Sequence, residues 1–319
     1  MTGGQPTVRD DTVIQFFTAV YQGLKQGAFA EAVDALEKIL EIDVDYPGAS
    51  SALKCAEFWK ERVDREPAPK DAFERGELLL AHWKVFQAFT ERLADVPEMF
   101  MFAIKQLIFS SALACSVSAA PDSDPGIADP DVLLQIGRCW KGMGNYERAI
   151  ESLERANDGK KEDARILAEL ADCYSLVNES RAAKAFFREC FFIDPLAIDL
   201  AGLESPLLQR LLAKVQAMGY SGPAVAEWIP VYGVIWGVFN VKREMKPLEF
   251  GKLKQAIYQL EKEYRTGGAA RDLLLPRLIN RYFWLIDHYM SAGEPRERVE
   301  EVLAKIRELD PRVHREYTT

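Results

Sequence analysis

The sequence predicts an all-α protein built of antiparallel helix hairpins, and three observations predict it. Apolar residues recur at three- and four-residue intervals along much of the 319-residue chain, the spacing that gives a helix one apolar face. Clusters of Gly, Asn, Asp and Pro punctuate these stretches. The pattern that begins at Asp129-Pro130 also returns thirty-four residues later, as Leu133 and Leu167 mark.

Taken in order, Val13 to Lys25 reads as a helix, and Gly27-Ala28-Phe29 as a turn into a second one. Ala32, Leu36 and Ile39 give that second helix its apolar face, and Ile42-Asp43 ends it. Ala49 to Asp64, Lys70 to Ala94 and Pro97 to Ala119 are further helices without a repeat pattern, the second striped by Leu79, Trp83, Phe86 and Leu93. Pro97 to Ala119 approaches membrane-span length, with Phe100, Met101, Phe102, Ile104, Leu107, Ile108 and Phe109 in close succession. Matching stripes on the flanking helices favour a core helix. Pro121 to Gly126 is turn-rich and marks a boundary. The predicted organisation is residues 1–120 as an N-terminal helical region, 129–200 as two clear repeats, and 205–319 as a C-terminal helical region.

The central pair carries most of the information. Its first unit shows Leu133, Ile136, Gly137, Trp140, Gly144, Asn145, Tyr146, Ala149, Leu153 and Ala156. The second shows Leu167, Leu170, Ala171, Tyr174, Ala183, Phe187, Cys190 and Pro195. Small residues allow two helices to approach, and Trp140 and Tyr174 are large enough to fill space beside them. Gly144-Asn145 suits a helix end that needs positive φ. Asp129 before Pro130 is an N-cap followed by proline at the first helical position, and Pro195 stops a helix. This pattern resembles the tetratricopeptide repeat, a 34-residue helix–turn–helix unit. The resemblance implies a right-handed superhelix of hairpins, a protein or peptide partner and no catalysis. Residues 13–43 match as a degenerate unit in which Val20 and Gly23 replace the small and aromatic residues. At the far end Gly293, Val299, Leu303, Ile306 and Leu309-Asp310-Pro311 follow the aromatic helix Leu273 to Ser291 as a divergent last unit. Between them, Leu207 to Met218 and Pro247 to Arg265 read as helices, the latter closed by Gly267-Gly268.

Composition agrees with a folded chain: 48% of residues are hydrophobic and 28% charged. A net charge of −9 argues against nucleic acid as the main ligand. The polar stretch Met1 to Asp11 predicts no secretory signal. Cys55, Cys115, Cys139, Cys173 and Cys190 form no Cys-x-x-Cys pair, which suits reduced thiols in a cytoplasm, and the family resemblance implies a bacterial-type cytoplasmic protein. His82, His288 and His314 sit at no metal-ligand spacing, and no phosphate-binding or nucleophile-elbow motif occurs. Neither cofactor nor metal is expected. Carboxylates such as Glu261 and Glu263 flank Lys262 and read as a solvated face.

In the tetratricopeptide family the first helix of each unit lines the binding groove. The resemblance therefore assigns partner contact to Asp131, Leu134, Arg138 and Lys141 in the first unit, and to Arg165, Ala168, Asp172 and Ser175 in the second. Arg138, Lys141 and Arg165 would suit an acidic peptide. Leu134, Arg138 and Glu169 occupy places where the chaperone-binding subtype carries its Lys and Asn carboxylate clamp, so that clamp is not expected. A second candidate is residues 222–246, with Trp228, Tyr232, Trp236, Lys242 and Arg243 as its contacts. This apolar, aromatic stretch can be a short membrane span, an interfacial membrane contact with Lys246 beside the other cations, a buried Pro-kinked helix, or an exposed partner patch. The alternatives to a protein-binding adaptor are a peripheral membrane assembly factor docking through that stretch, and an enzyme or small-ligand site formed only by the fold. Self-association through the same stretch is a further expectation; an integral membrane span is not.

Overall fold

Residues 8–65, 69–119, 129–242, 244–267 and 271–319 are described by a computed structural model of the chain. Among them run fifteen α-helices and two single 3₁₀ turns. Consecutive helices pair as antiparallel hairpins, as the sequence predicts. The chain divides into two compact units, Met1–Ala156 and Asn157–Thr319. That division falls inside the helix Tyr146–Gly159, near the end of the first clear repeat, whereas the composition-based boundary at residues 121–126 lies outside the described residues.

In the first unit, α1 (Val8–Gln26) pairs with α2 (Phe29–Ile42), which packs on α3 (Ala49–Arg65). Helix α4 (Ala72–Thr90) lies along α5 (Glu98–Ala119), and α5 in turn contacts α1 and α6 (Pro130–Gly142). Helix α7 (Tyr146–Gly159) follows α6. The stripes seen in the sequence meet in one core, where Leu24, Leu36, Ile39, Trp59, Phe86 and Ile104 are fully enclosed. Aromatic rings join α3 to α4, with Phe58 and Phe86 centroids 5.1 Å apart and Trp59 and Phe86 5.3 Å apart, distances at which ring pairs attract beyond simple burial. Helix α5 is long and apolar enough to cross a membrane by length and composition, and a third of that stretch is buried against its neighbours. Ile104, Ile108 and Ala112 face the protein; Met99, Phe102 and Val117 face outward.

The second unit opens with the hairpin α8 (Ala164–Leu176) and α9 (Ser180–Ile193). Two 3₁₀ turns, Pro195–Ala197 and Leu200–Gly202, lead to α10 (Pro206–Ala217) and α11 (Pro223–Ile235). Helix α13 (Arg271–Ser291) is central: it packs on α11, on α12 (Pro247–Thr266) and on α14 (Arg296–Leu309). Helix α15 (Pro311–Thr318) closes the unit, with Val313 fully enclosed and Tyr317 stacked 4.4 Å from Phe283.

Asp163 starts α8 and shows how a sequence cap becomes a stabilising contact. Its carboxylate accepts from the Arg165 backbone N–H at 2.9 Å and from the Arg165 guanidinium at 2.7 and 3.1 Å, with Lys160 at 3.1 Å. Burial pushes this carboxyl up, but those bonds outweigh it and hold it well below the ordinary value of 3.8. The stabilisation is therefore complete above that value and lost as the pH falls below it. Asp163→Ala is expected to cost about 1–2 kcal/mol at neutral pH. Asp163→Asn keeps a capping oxygen and should flatten the acid side of the stability curve below about pH 4, read by thermal unfolding across a pH series.

Candidate functional site

Helix α6 begins at Asp129, whose side chain accepts from the Asp131 N–H at 2.8 Å, with Pro130 in the first turn. At Gly137 the crossing with α7 is so close that a Cβ there would lie 2.5 Å from the Leu153 Cγ. The small residue at this position is a steric requirement of the hairpin. Helix α6 ends in a Schellman turn: Asn145 N–H bonds the Trp140 carbonyl at 2.9 Å, Gly144 N–H bonds Lys141, and Gly144 takes φ +80°.

The same closure recurs thirty-four residues on, where Glu179 N–H bonds the Tyr174 carbonyl at 2.8 Å and Asn178 takes φ +65°. It also closes the two weak units. Ala28 bonds Gly23 with Gly27 at φ +75°, and Glu294 bonds Tyr289 with Gly293 at φ +66°. The second helices of three hairpins end alike as well. Asp43, Asp194 and Asp310 share nearly one backbone conformation, φ −147° to −154° and ψ 98° to 100°.

Residues 130–158, which are α6 and nearly all of α7, match the family model for the tetratricopeptide repeat. This hairpin is similar to a tetratricopeptide repeat. No curated protein matches the chain. The match covers one hairpin of the tetratricopeptide pattern, and the turn geometry extends the same construction to α1–α2, α8–α9 and α13–α14.

The structure sorts the groove residues predicted by resemblance. Asp131 and Arg138 on α6, and Arg165 and Ser175 on α8, remain partly exposed. Leu134 and Ala168 are buried, and Lys141 is only 5% exposed. Asp172 is fully enclosed. Its two carboxylate oxygens accept from the Glu204 and Ser205 backbone N–H groups at 3.0 and 2.7 Å, so it serves the start of α10. Ser205 also donates to Ser175 at 2.7 Å. Leu134, Lys141 and Asp172 are thus corrected from contact residues to interior ones. The sequence pattern places a residue on a helix face but not beneath the next element. Arg165 is fixed by Asp163, as described above.

Residues 222–246 also resolve. Every residue from Val225 to Gly233 is buried, Trp228 at 4% exposure and Tyr232 at 1%. Trp228 stacks on Tyr220 at 4.8 Å, and Trp236 on Tyr232 at 4.9 Å with the Lys214 ammonium 5.2 Å over its ring. The Phe239 N–H returns to the Gly233 carbonyl at 2.8 Å. Of the four readings, the buried helix holds, because α11 is apolar on all sides and elements pack around it. Trp228 and Tyr232 are corrected from surface contacts to core. Lys242 pairs with Asp287 at 2.7 Å, and Arg243 lies outside the described residues.

Charges interleaved with the aromatic residues of α13 form polar ties that the sequence reading did not single out. Glu227, fully enclosed in α11, holds the guanidinium of Arg277 in a fork, one arm at 3.3 Å. Burial pushes the Glu227 carboxyl up, and Arg277 draws it back. Arg188 on α9 bonds Asp287 and the Val241 carbonyl, the latter at 3.0 Å. Glu261, expected on a solvated face, instead accepts from the Tyr282 hydroxyl at 2.6 Å and Lys305 at 2.7 Å, tying α12 to α13 and α14. Glu227 and Asp287 were visible as charges set among the apolar residues of α11 and α13, whereas Glu261, on the highly charged α12, and Arg188, on α9, carried no such signal. Among the described residues no group of three or more His, Cys, Asp or Glu is placed to hold a metal ion.

Proposed function

We propose that this chain is a cytoplasmic, non-catalytic adaptor that binds a protein or peptide through the accessible residues of its repeat helices. The tetratricopeptide match at 130–158 carries this reading, since the repeat is a protein-binding module. Taken unit by unit, the candidate contact residues are Asp131 and Arg138 on α6 in the first unit, and Arg165 and Ser175 on α8 in the second, all partly exposed. Five free cysteines, four of them buried, support a reducing compartment. The membrane alternative asks Trp228 and Tyr232 to reach lipid, and both are core residues.

The test is affinity capture from a native extract with wild type, Arg138→Glu and Arg165→Ala. Capture of a partner by wild type, weakened about tenfold by Arg138→Glu at unchanged melting temperature, is expected for a charge at an interface. Equal capture by both variants would remove these residues from the contact surface.

A further inference from the structure

Helix α12 lies at the surface of the second unit, with one side on α13 and the other open. Leu253 and Ile257 are buried, and Phe250 stacks on His288 of α13 at 3.9 Å. Leu248, Lys252, Tyr258 and Lys262 are exposed on the opposite side, with Lys254 and Arg265 along its border. A Cβ at Gly251, on the same side, would meet nothing within 4 Å, so no described element overlies it. Leu248 and Tyr258, at 74% and 69%, are the most exposed large apolar residues described in this unit.

The charges of α12 are sorted as well. Its acids turn elsewhere: Glu249 accepts from the Lys246 backbone N–H at 2.7 Å, and Glu261 accepts from Tyr282 and Lys305. Glu263, exposed at the edge, acts on Arg277 of α13. The cations stay on the open side, where Lys252, Lys254 and Lys262 have no carboxylate partner among the described residues. A chain of net charge −9 thus keeps one helix face basic, with an aliphatic and an aromatic side chain standing out of it. Ten residues separate Leu248 from Tyr258, close to three turns, so both project from one side about 15 Å apart.

We propose that this face of α12 docks the second unit on an anionic lipid bilayer. The lysines meet headgroup phosphates and carboxylates, while Leu248 and Tyr258 enter the boundary between headgroups and acyl chains. A nucleic acid offers an exposed leucine no such apolar layer, and its recognition favours arginine forks over lysine. The surface is distinct from residues 222–246, whose aromatic side chains are largely core, and it stands apart from the protein-binding reading. The acidic remainder of the chain opposes approach, so docking is confined to strongly anionic bilayers.

Co-sedimentation of the full chain with phosphatidylcholine vesicles, with and without about one-third phosphatidylserine, tests it. Wild type is expected to sediment with the anionic vesicles only, and less at high salt. Each lysine removed should weaken binding about fivefold, so Lys252→Gln/Lys254→Gln/Lys262→Gln loses on the order of 100-fold at unchanged melting temperature. Leu248→Ser/Tyr258→Ser should lose about tenfold and keep the salt dependence. The control Lys25→Gln/Lys38→Gln/Lys54→Gln makes the same charge change on exposed lysines of the first unit and should bind nearly as wild type. Should the α12 triple variant not fold, Lys262→Gln alone takes its place, with the fivefold loss expected. No binding by wild type, no loss in the α12 variants, or an equal loss in the control overturns the proposal. An unstructured RNA bound more tightly than the vesicles through the same lysines overturns it in favour of nucleic acid.

Discussion

Asp287→Ala is expected to destabilise the second unit by about 3–5 kcal/mol, because it strands a buried cation. Arg188 is 4% exposed and meets Asp287 in the centre of the unit. Removing the carboxylate leaves the guanidinium with the Val241 carbonyl alone, in surroundings where water cannot replace the lost partner. Lys242 also loses its partner, but it is 45% exposed and resolvates at little cost. In a unit of this size the change should lower the melting temperature by roughly 10 °C or more. The double change Arg188→Met with Asp287→Leu should recover most of the loss, since a buried pair replaced by apolar groups of similar size is often neutral. Thermal unfolding of the single and double variants decides it, and a single variant as stable as wild type would show that the pair carries no weight.

Trp228→Ala is the second large effect, at about 3–5 kcal/mol for emptying an enclosed aromatic site. The indole stacks on Tyr220 and lies 5.5 Å from Tyr232, inside the core that α11 shares with α13. Neighbouring helices are held by other contacts and cannot collapse fully into the space, so a cavity term adds to the lost transfer energy. A surface contact would behave oppositely, leaving the melting temperature unchanged and weakening only a partner. Calorimetry on Trp228→Ala separates these outcomes without knowledge of that partner.

The contrast between these residues and the repeat explains what could be read beforehand. Gly144, Asn145, Gly137 and Asp129 act through local geometry: a positive φ, a close crossing, a cap. Such requirements are met within one hairpin and repeat with the period, so they are visible in the chain. The weak first and last units were legible for the same reason, through Gly27 and Gly293. Asp172, Lys141 and Trp228 depend on what lies over them. Asp172 meets Glu204 and Ser205 thirty-two and thirty-three residues away, a relation no helical spacing encodes. Arg188 and Asp287 are ninety-nine residues apart. Sequence reading therefore gave the hairpins and misjudged which of their faces stay open.

Hydrogen exchange on the free chain and on its complex with the captured partner tests the central claim most directly. Slow exchange is predicted through Val225–Gly233 in the free chain, since α11 is core, with protection on complex formation appearing at the accessible positions of α6 in the first unit or of α8 in the second. Fast exchange across α11 in the free chain, and new protection confined to it on binding, would contradict the account.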